Sequence, residues 1–441
     1  MNLSRRSLLG AFAAGGLSAA TDLGAKARDR FPSAEKQVVP PAVPPGAAGK
    51  SEAVPARRYD LREDLKPRRL TMAMWDEAYA LRHTAGESMA APGMVLDEAV
   101  ERAYNTLRLD PMPQWIDLRN PQRVLKWPDP HQPLMPWLWN KEVEGPVGKW
   151  VIEFVEQLLR RPSLHYTLSA WWFMPGVPDT PPVPEPLRRP ASLAEGAEMW
   201  VTQLRDWQRR FGFERLLYVD IANETPYFFP GILARLETAT GTPFGAGPRL
   251  TSAQVDFLAQ EINGALALLR GEFPELRFTT SLHADSRWLD VPLELDCLDV
   301  HFFADMDARW SQRTRFNEFL GDHLFETDRW FAEFSERATK TSVAVAPMLR
   351  AKQRRKMQEF ANWAGHLGAP ITTSEAWASW YYVDHPKLDW GWLLDWSTHA
   401  CDDAIDCGFW GWTPHNYAAP QFANWKDVNW HRTLNERFLN G

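Results

Sequence analysis

Residues 216–224 have the sequence LLYVDIANE, in which an Asn-Glu pair, Asn223 and Glu224, directly follows a short apolar run. Residues 371–377, ITTSEAW, repeat this arrangement with Glu375 at the end of a second run. A short apolar run bounded by polar or turn-forming residues is typical of a strand buried on both faces. The two segments therefore predict buried strands that each present a carboxyl group where the strand ends.

Six further runs of this kind lie along the chain. The eight predicted strands span residues 70–75, 106–110, 166–171, 216–221, 277–283, 298–303, 371–375 and 408–412. Helical stretches separate most of them, and Ser192/Glu195 and Thr251/Gln254 have the spacing of helix capping boxes. Strands that alternate with helices indicate a parallel sheet, and eight of them close a barrel. We therefore predict an α/β fold, a (β/α)8 TIM barrel.

A ninth run, residues 342–349, also has a strand-like composition. It contains Pro347 and is followed by a helical stretch, residues 350–367. Because proline removes a hydrogen-bond donor from a central strand, we assign this run to a connector rather than to the barrel.

The amino-terminal part of the chain predicts an export signal and a tether. Residues 4–9, SRRSLL, resemble a twin-arginine signal, and the apolar stretch after them ends in small residues. We assign residues 1–27 to this signal, 28–56 to a Pro-rich linker and 57–441 to a single catalytic domain. An Arg-Arg pair that precedes an Ala-rich helix by chance is the alternative. No apolar run reaches the roughly 20 residues that span a membrane, so we expect an exported periplasmic or secreted protein.

The composition narrows the classes of partner. A net charge of −7, from 49 basic and 56 acidic residues, gives no electrostatic basis for binding nucleic acid. The 23 Trp residues suit stacking against sugars, although any one of them could instead fill the core. Three cysteines and the absence of CxxC and HExxH motifs predict no disulfide framework, no metal site and no cofactor.

The candidate site follows from barrel geometry, because the carboxyl ends of the strands and the loops beyond them form the active face. Polar residues predicted at those ends are Asp76, Arg108, Asn223, Glu224, His283, His301 and Glu375. Glycoside hydrolysis uses two carboxyl groups, one that protonates the leaving oxygen and one that attacks or activates water. Glu224 and Glu375 are the predicted pair.

The two glutamate motifs at strands four and seven resemble those of clan A glycoside hydrolases, which are retaining TIM-barrel enzymes, and especially the cellulase-like family. The resemblance runs from about Leu70 to Trp430. It implies that Glu224 is the acid/base, that Asn223 binds the sugar 2-hydroxyl and that Glu375 is the nucleophile. It also implies an oligo- or polysaccharide substrate with β-linkages.

Other clan features are matched in part. Members often have an arginine on strand two, a His-x-Tyr on strand six and a tryptophan that ends strand eight and floors the sugar pocket. Arg108 and Trp412 match the first and the last, whereas His301-Phe302-Phe303 has Phe303 where the tyrosine would contact the nucleophile. The resemblance implies an ionised Glu375, assisted by Arg108, and a protonated Glu224.

Long aromatic and Pro-rich loops are predicted on the active face. The residues concerned are Trp115, Trp127, Trp137 and Trp139 after strand two, Trp377, Trp380, Tyr381 and Tyr382 after strand seven, and Tyr417, Trp425 and Trp430 after strand eight. These loops could line a cleft or close a pocket, so endo and exo action both stay open. Trp410 and Trp412 share a strand, and at least one of them should face the core.

Three other functions fit the same residues. Phe303 favours a sugar-binding barrel without turnover, and a covalent intermediate would also serve transglycosylation. A metal-dependent hydrolase could use His283, His301 and acidic strand ends, although no H-x-H pair supports it. Each glutamate alone could be an ion-pair partner, and both histidines could be hydrogen-bonded rim residues.

Overall fold

The computed structural model describes residues 65–127, 139–172, 190–316 and 328–441. The predicted signal and linker, residues 1–56, and Trp137 lie outside these ranges. Their assignment, like the domain boundary at residue 57, stays a prediction.

Short parallel strands form a closed ring. The strands in the described residues are β1 Leu70–Asp76, β2 Thr106–Leu109, β3 Leu125–Trp127, β4 Val143–Gly145, β5 His165–Ser169, β6 Leu216–Asp220, β7 Phe278–Thr279, β8 Leu282–His283, β9 Leu298–Phe303, β10 Ile371–Thr372, β11 Ala376–Trp377 and β12 Gly411–Trp412. All of them except β3 and β4 belong to the ring. The hydrogen-bonded order is β9-β10-β12-β1-β2-β5-β6-β7, and β8 pairs with β9. Only two residues separate β7 from β8, so together they occupy one position that links β6 to β9. The eight positions confirm the predicted TIM barrel.

Helices surround this ring. They are α1 Ala78–Leu81, α2 Pro92–Glu101, α3 Val147–Leu159, α4 Leu193–Phe211, α5 Pro230–Thr240, α6 Ser252–Glu272, α7 Ala308–Thr314, α8 Asp328–Leu367, α9 Gly391–Asp406 and α10 Val428–Asn440. No helix in the described ranges is long and apolar enough to cross a membrane.

Capping and periodicity explain where these helices begin and which face they bury. Thr251 and Gln254 form a complete capping box at α6, and the Ser192 hydroxyl accepts the first-turn N–H of Glu195 at α4. On α3 the buried residues Val151, Phe154, Val155 and Leu158 repeat at helical spacing. Full burial of such a side chain contributes about 1.5 to 3 kcal/mol, which fixes this face against the barrel.

Two segments assigned to connections contain regular secondary structure, and the exclusion of residues 342–349 from the barrel strands is confirmed. Residues 342–349 lie inside the 40-residue helix α8, where Ser342, Val345 and Leu349 are buried one turn apart and Pro347 is exposed. The run therefore has helical rather than strand periodicity. The loop after β2 contains an antiparallel hairpin, β3 with β4, that its proline content concealed.

The barrel interior is apolar at its base and polar at its top. Leu70, Met72, Tyr218, Cys297 and Trp410 are the main members of a cluster that closes the base. Above it, Asp220 and Asp299 are fully buried and accept hydrogen bonds from neighbouring strands. Polar side chains therefore line the part of the barrel interior that lies toward the carboxyl ends of the strands.

Candidate active site

Glu224 and Glu375 lie together at the carboxyl end of the barrel. Glu224 follows β6, and Glu375 lies between β10 and β11. The side chains are buried, and one oxygen of each, with one ring nitrogen of His301, form a group whose atoms all lie within 4.8 Å of one another. The structure thus brings the two predicted carboxyl groups together.

Backbone contacts fix the position of Glu224. Its N–H donates to Ser281 Oγ at 2.9 Å, and the flanking N–H groups of Asn223 and Thr225 donate to Ala170 O and Ser281 O. The φ angle of Glu224 is 48°, in the left-handed region that glutamate rarely adopts. Such a conformation costs about 1 to 3 kcal/mol, and the hydrogen bonds from both neighbouring strands offset it.

Two histidines flank the Glu224 carboxylate. His283 on β8 and His301 on β9 are register partners, so their side chains stand at the same height. His301 Nδ1 lies 2.8 Å from Glu224 Oε1, and His283 Nε2 lies 2.7 Å from Oε2. Burial raises the pKa of Glu224, but the charges and hydrogen bonds of the two histidines outweigh it and hold this pKa well below its ordinary value.

Arg108 on β2 connects the remaining predicted residues. Its guanidinium donates to Glu375 Oε1 at 2.6 Å and to Asn223 Oδ1 at 2.7 Å, and its Nε lies 3.2 Å from Asp76 Oδ1. Ser374 Oγ accepts a further bond at 3.2 Å. A planar guanidinium with five donors is the side chain that can hold several such partners at once.

The protonation states of the free site differ from those that the resemblance implies. Burial raises the pKa of Glu375 to about 7, against the opposing charges of His301 and Arg108. Burial also lowers the pKa of His301, but the carboxylates of Glu375 and Glu224 raise it to about 9. Glu224 is therefore the more acidic of the two glutamates, because both histidines stabilise its charge.

Asp76 and Asn223 have distinct places in this network. Asp76 is fully buried and accepts from Trp171 Nε1 at 3.0 Å, so it supports Arg108 and does not reach a ligand. The Oδ1 of Asn223 accepts from Arg108 and from Ser281 Oγ. Its Nδ2 has no hydrogen-bond partner among the described residues. That amide group is available to donate to a ligand hydroxyl.

Comparisons with known proteins agree with this geometry. A model of the cellulase-like family, described as sugar-binding cellulase-like, matches residues 72–439. That span is most of the chain.

The chain belongs to the cellulase-like family.

Solved structures are similar to it as well. A candidate glycoside hydrolase from Parabacteroides distasonis has a TM-score of 0.69 and 21% identity, over 84% of this chain and 93% of that chain. The endoglucanase Cel5A from Thermotoga maritima has a TM-score of 0.45 and 11% identity, over 83% and 96%. A family 5 mannosidase from Rhizomucor miehei has a TM-score of 0.44 and 12% identity, over 84% and 93%. No curated protein matches the chain.

Asn416 is a site residue that the sequence did not reveal. It lies in the loop after β12, where its Oδ1 accepts the N–H of Ala376 at 2.8 Å and its Nδ2 lies 3.5 Å from Glu375 Oε2. Phe303 offers no hydroxyl here, and its ring packs edge-on against His301. Asn416 therefore supplies a donor to Glu375 from the loop after β12, whereas the tyrosine that the resemblance implied would have come from β9.

The two predicted sugar-binding tryptophans are not at the pocket. Trp412 and Trp377 are fully buried. Trp412 stacks on Phe438 of helix α10, and Trp377 stacks on Phe302. Both rings lie between the barrel and its outer helices, so neither has a free face for a ligand.

The predicted aromatic loops are also more buried than expected. Trp115, Trp127 and Trp139 have almost no exposed surface, and the first two pack edge-to-face. They form core beneath the loop after β2 rather than the wall of a cleft. Half-buried aromatic rings near the carboxylates are Tyr227, which stacks on His283, Phe228, which contacts Trp171, and Phe303.

Glu224, His301 and Glu375 have the donor atoms of a metal site, but the positive charge of Arg108 lies beside them. Glu224, His301 and Glu375 offer one nitrogen and two oxygens in close proximity. The Arg108 guanidinium, 2.6 Å from Glu375 Oε1, places a positive charge where a cation would bind. Because each Glu224 oxygen also faces an imidazole nitrogen, the cluster favours proton chemistry over metal binding.

Proposed function

We propose that this protein is a retaining glycoside hydrolase in which Glu375 is the nucleophile and Glu224 the acid/base. The observation that carries this proposal is the pair of buried carboxyl groups at strand positions four and seven, with oxygens within 4.8 Å of one another. Retaining enzymes separate their carboxyl groups by about 5 to 5.5 Å, whereas inverting enzymes leave about 6.5 to 9.5 Å for a water. The short separation supports direct attack.

The surrounding side chains support each step of that reaction. Glu375 attacks the anomeric carbon as a carboxylate that Arg108 holds in place. Glu224 delivers a proton to the leaving oxygen. In the second step a water molecule returns a proton to Glu224, and its oxygen displaces Glu375 from the sugar. The free Nδ2 of Asn223 donates to the sugar 2-hydroxyl, a contact that strengthens in the transition state.

The substrate class follows from the family, and we propose a β-linked oligo- or polysaccharide. Half-buried Tyr227 and Phe228 provide apolar surface beside Glu224 for a sugar ring. If a sugar hydroxyl accepts the glycosyl group in place of water, the same intermediate leads to transglycosylation.

A sugar-binding barrel without turnover is the second candidate, and Phe303 is the feature that favours it. The test is a panel of aryl β-glycosides and β-linked polysaccharides with the wild type, Glu224→Gln and Glu375→Gln. We expect turnover that falls at least about a thousandfold in each variant. A 2-deoxy-2-fluoro glycoside should label Glu375, as detected by peptide mass, and the first product should keep the anomeric configuration of the substrate.

The outcomes separate the candidate functions. Binding of a glycan without turnover, unchanged in both variants, supports the sugar-binding barrel. Activity that a chelator abolishes and that survives Glu375→Gln contradicts the two-glutamate mechanism and supports metal dependence. We expect a chelator to leave activity unchanged, because Arg108 occupies the position of a cation.

A further inference from the structure

Glu224 has no oxygen that faces the pocket alone. His301 Nδ1 lies beside Oε1 and His283 Nε2 lies beside Oε2, at 2.8 and 2.7 Å. A general acid must present its proton to the leaving oxygen within hydrogen-bond distance. Each carboxylate oxygen has two lone pairs. An oxygen that accepts a hydrogen bond from one imidazole therefore keeps a second lone pair that can face the substrate.

The two histidines are not equivalent. His301 is fully buried, its Nε2 lies 3.1 Å from Ser374 Oγ, and its Nδ1 is also 3.8 Å from Glu375 Oε1. Its charge is therefore tied to both glutamates. Among the described residues, ion-pair contacts within 4.0 Å link His283 to Glu224 alone.

His283 also lies nearest to the open side of the site. It retains 8% of its surface, and half-buried Tyr227 stacks on its ring at 4.8 Å. The nearest charged groups on its own segment, Asp285 and Arg287, neutralise one another, with Arg287 Nε 2.7 Å from Asp285 Oδ2. On the paired strand, His301 lies 2.8 Å from the other oxygen of Glu224, Oε1. Among the described residues, Glu224 is thus the charged group that contacts His283 within 4.0 Å.

We propose that Glu224 and His283 act as one acid–base unit that holds a single shared proton. This inference rests on the proposed glycosidase function. When the glycosidic C–O bond breaks, the leaving oxygen receives the proton from Glu224 Oε2, His283 Nε2 resupplies it, and a Glu375–carbon bond forms. In the second step a water proton returns to Glu224 and then to His283, while the water oxygen displaces Glu375 from the carbon.

The shared proton explains how a carboxyl group with a low pKa can act as an acid. Two histidines keep Glu224 ionised in the free site, so a carboxyl group acting alone would seldom hold a proton. An imidazolium 2.7 Å away stores that proton, so Glu224 keeps in the free site the negative charge that the two histidines stabilise. His283 is accordingly a proton-supplying partner of Glu224 rather than a contact for sugar hydroxyls.

The test compares substrates that need acid assistance with substrates that do not. On a disaccharide, His283→Gln should lose about a hundredfold in kcat/KM, within the range of general acid catalysis. On a 2,4-dinitrophenyl glycoside, whose leaving group needs no proton, the loss should stay within about threefold. Glutamine keeps an Nε2 donor but cannot ionise, so retained activity on the disaccharide would reduce His283 to an orienting residue and overturn the proposal.

Three controls make the result specific. His165→Gln, at the amino end of β5 and away from the site, should leave kcat/KM for both substrates unchanged. His283→Asn, with folding checked by thermal melting, gives a second variant if His283→Gln is unstable. In Glu224→Gln the additional change His283→Gln should cause no further loss, because the two residues act as a unit. Additive losses contradict the proposal.

A second readout separates this proposal from the proposed function. If no glycoside is turned over by the wild type, the glycosidase function fails, but the shared proton can still be measured. In 1H–15N NMR spectra, a proton shared between His283 Nε2 and Glu224 Oε2, which lie 2.7 Å apart, should give a strongly downfield Nε2–H signal in the wild type that is absent in Glu224→Gln. The same His283 Nε2–H signal in both proteins would show that no proton is shared.

Discussion

Arg108 and His301 both favour the ionised form of Glu375, and Arg108 is the one that donates a hydrogen bond to it, at 2.6 Å. In the proposed reaction Glu375 attacks as a carboxylate, and burial raises its pKa to about 7, so kcat/KM should fall as the pH drops through about 7. Arg108→Gln removes a positive charge 2.6 Å from Glu375 Oε1 and therefore raises this pKa further. We expect the acidic limb of the pH profile to move upward and kcat/KM at pH 7 to fall by about a hundredfold or more.

Arg108→Lys is the matched control for charge. An ammonium keeps the positive charge but cannot hold Glu375, Asn223 and Asp76 together, so the rate should fall while the acidic limb stays near its wild-type position. Steady-state kcat/KM measurements between about pH 5 and 9, with melting curves for each variant, decide between the two. An unmoved limb in Arg108→Gln would mean that Arg108 does not set the ionisation of Glu375.

Asn416 provides a second residue-scale test, directed at orientation rather than charge. Asn416→Ala leaves the buried N–H of Ala376 without its acceptor, which should cost about 1 to 3 kcal/mol of stability in urea unfolding. It also frees Glu375 Oε2, so we expect kcat to fall about tenfold with little change in KM. The reverse result, a raised KM with normal kcat, would place Asn416 at the substrate instead.

These residues also show how far sequence alone reaches. Arg108, Glu224, His301 and Glu375 could be predicted because each lies on or directly after a periodic strand, and the barrel sends all strand ends to one face. Asn416 could not, because it lies in an irregular loop whose path no periodicity encodes. The order of the two glutamate pKa values was also hidden, since it depends on which histidines stand beside which carboxylate.

At the scale of elements, the register of β12 decides what Trp412 does. A Cβ added to Gly411 would meet Thr372 Oγ1 and lie 3.1 Å from Met72 Cε, so position 411 faces the barrel interior. Side chains alternate along a strand, which places Trp412 on the outer face. A one-residue difference in register exchanges interior and exterior, and the sequence GFWGW does not fix it.

The outer position of Trp412 has a measurable consequence at Phe438, on which it stacks. Phe438→Ala should lower the free energy of unfolding by about 3 to 5 kcal/mol, because it removes a fully buried ring between β12 and α10. KM for any substrate should not change. Val343→Ala, at a residue 72% exposed, is the control and should cost less than about 0.5 kcal/mol. A raised KM in Phe438→Ala with unchanged stability would return Trp412 to the sugar pocket.

The elements themselves were predicted unevenly, and for physical reasons. Strand β9 was predicted residue for residue, whereas positions five and seven are each divided into two pieces, β7 with β8 and β10 with β11. The divisions fall at Thr280-Ser281 and at Thr373-Ser374-Glu375, and the second contains the site residue Glu375. Strand propensity cannot report such breaks, because they are set by contacts from other strands.

At the scale of the whole molecule, the apolar cluster that closes the barrel and the polar groups of the candidate site lie at opposite ends of the strands. The base is closed by the apolar cluster around Trp410, and the polar groups are stacked at the opposite end of the strands. The three cysteines are buried and unpaired, so the described fold does not depend on an oxidising compartment. The fold is therefore compatible with assembly on either side of a membrane.

We propose that the sequence at residues 4–9 directs export of the protein from the cytoplasm by the twin-arginine route. Such signals are recognised by a receptor rather than by charge alone, so Arg5→Lys with Arg6→Lys should abolish export although the charge is unchanged. The matched control, Arg28→Lys with Arg30→Lys, alters two arginines beyond the predicted signal and should be exported normally. Fractionation of cells that express each form, with immunodetection of the exported and cytoplasmic pools, gives the measurement. Equal export of both variants would show that the Arg-Arg pair is incidental and that residues 1–27 do not act as a twin-arginine signal.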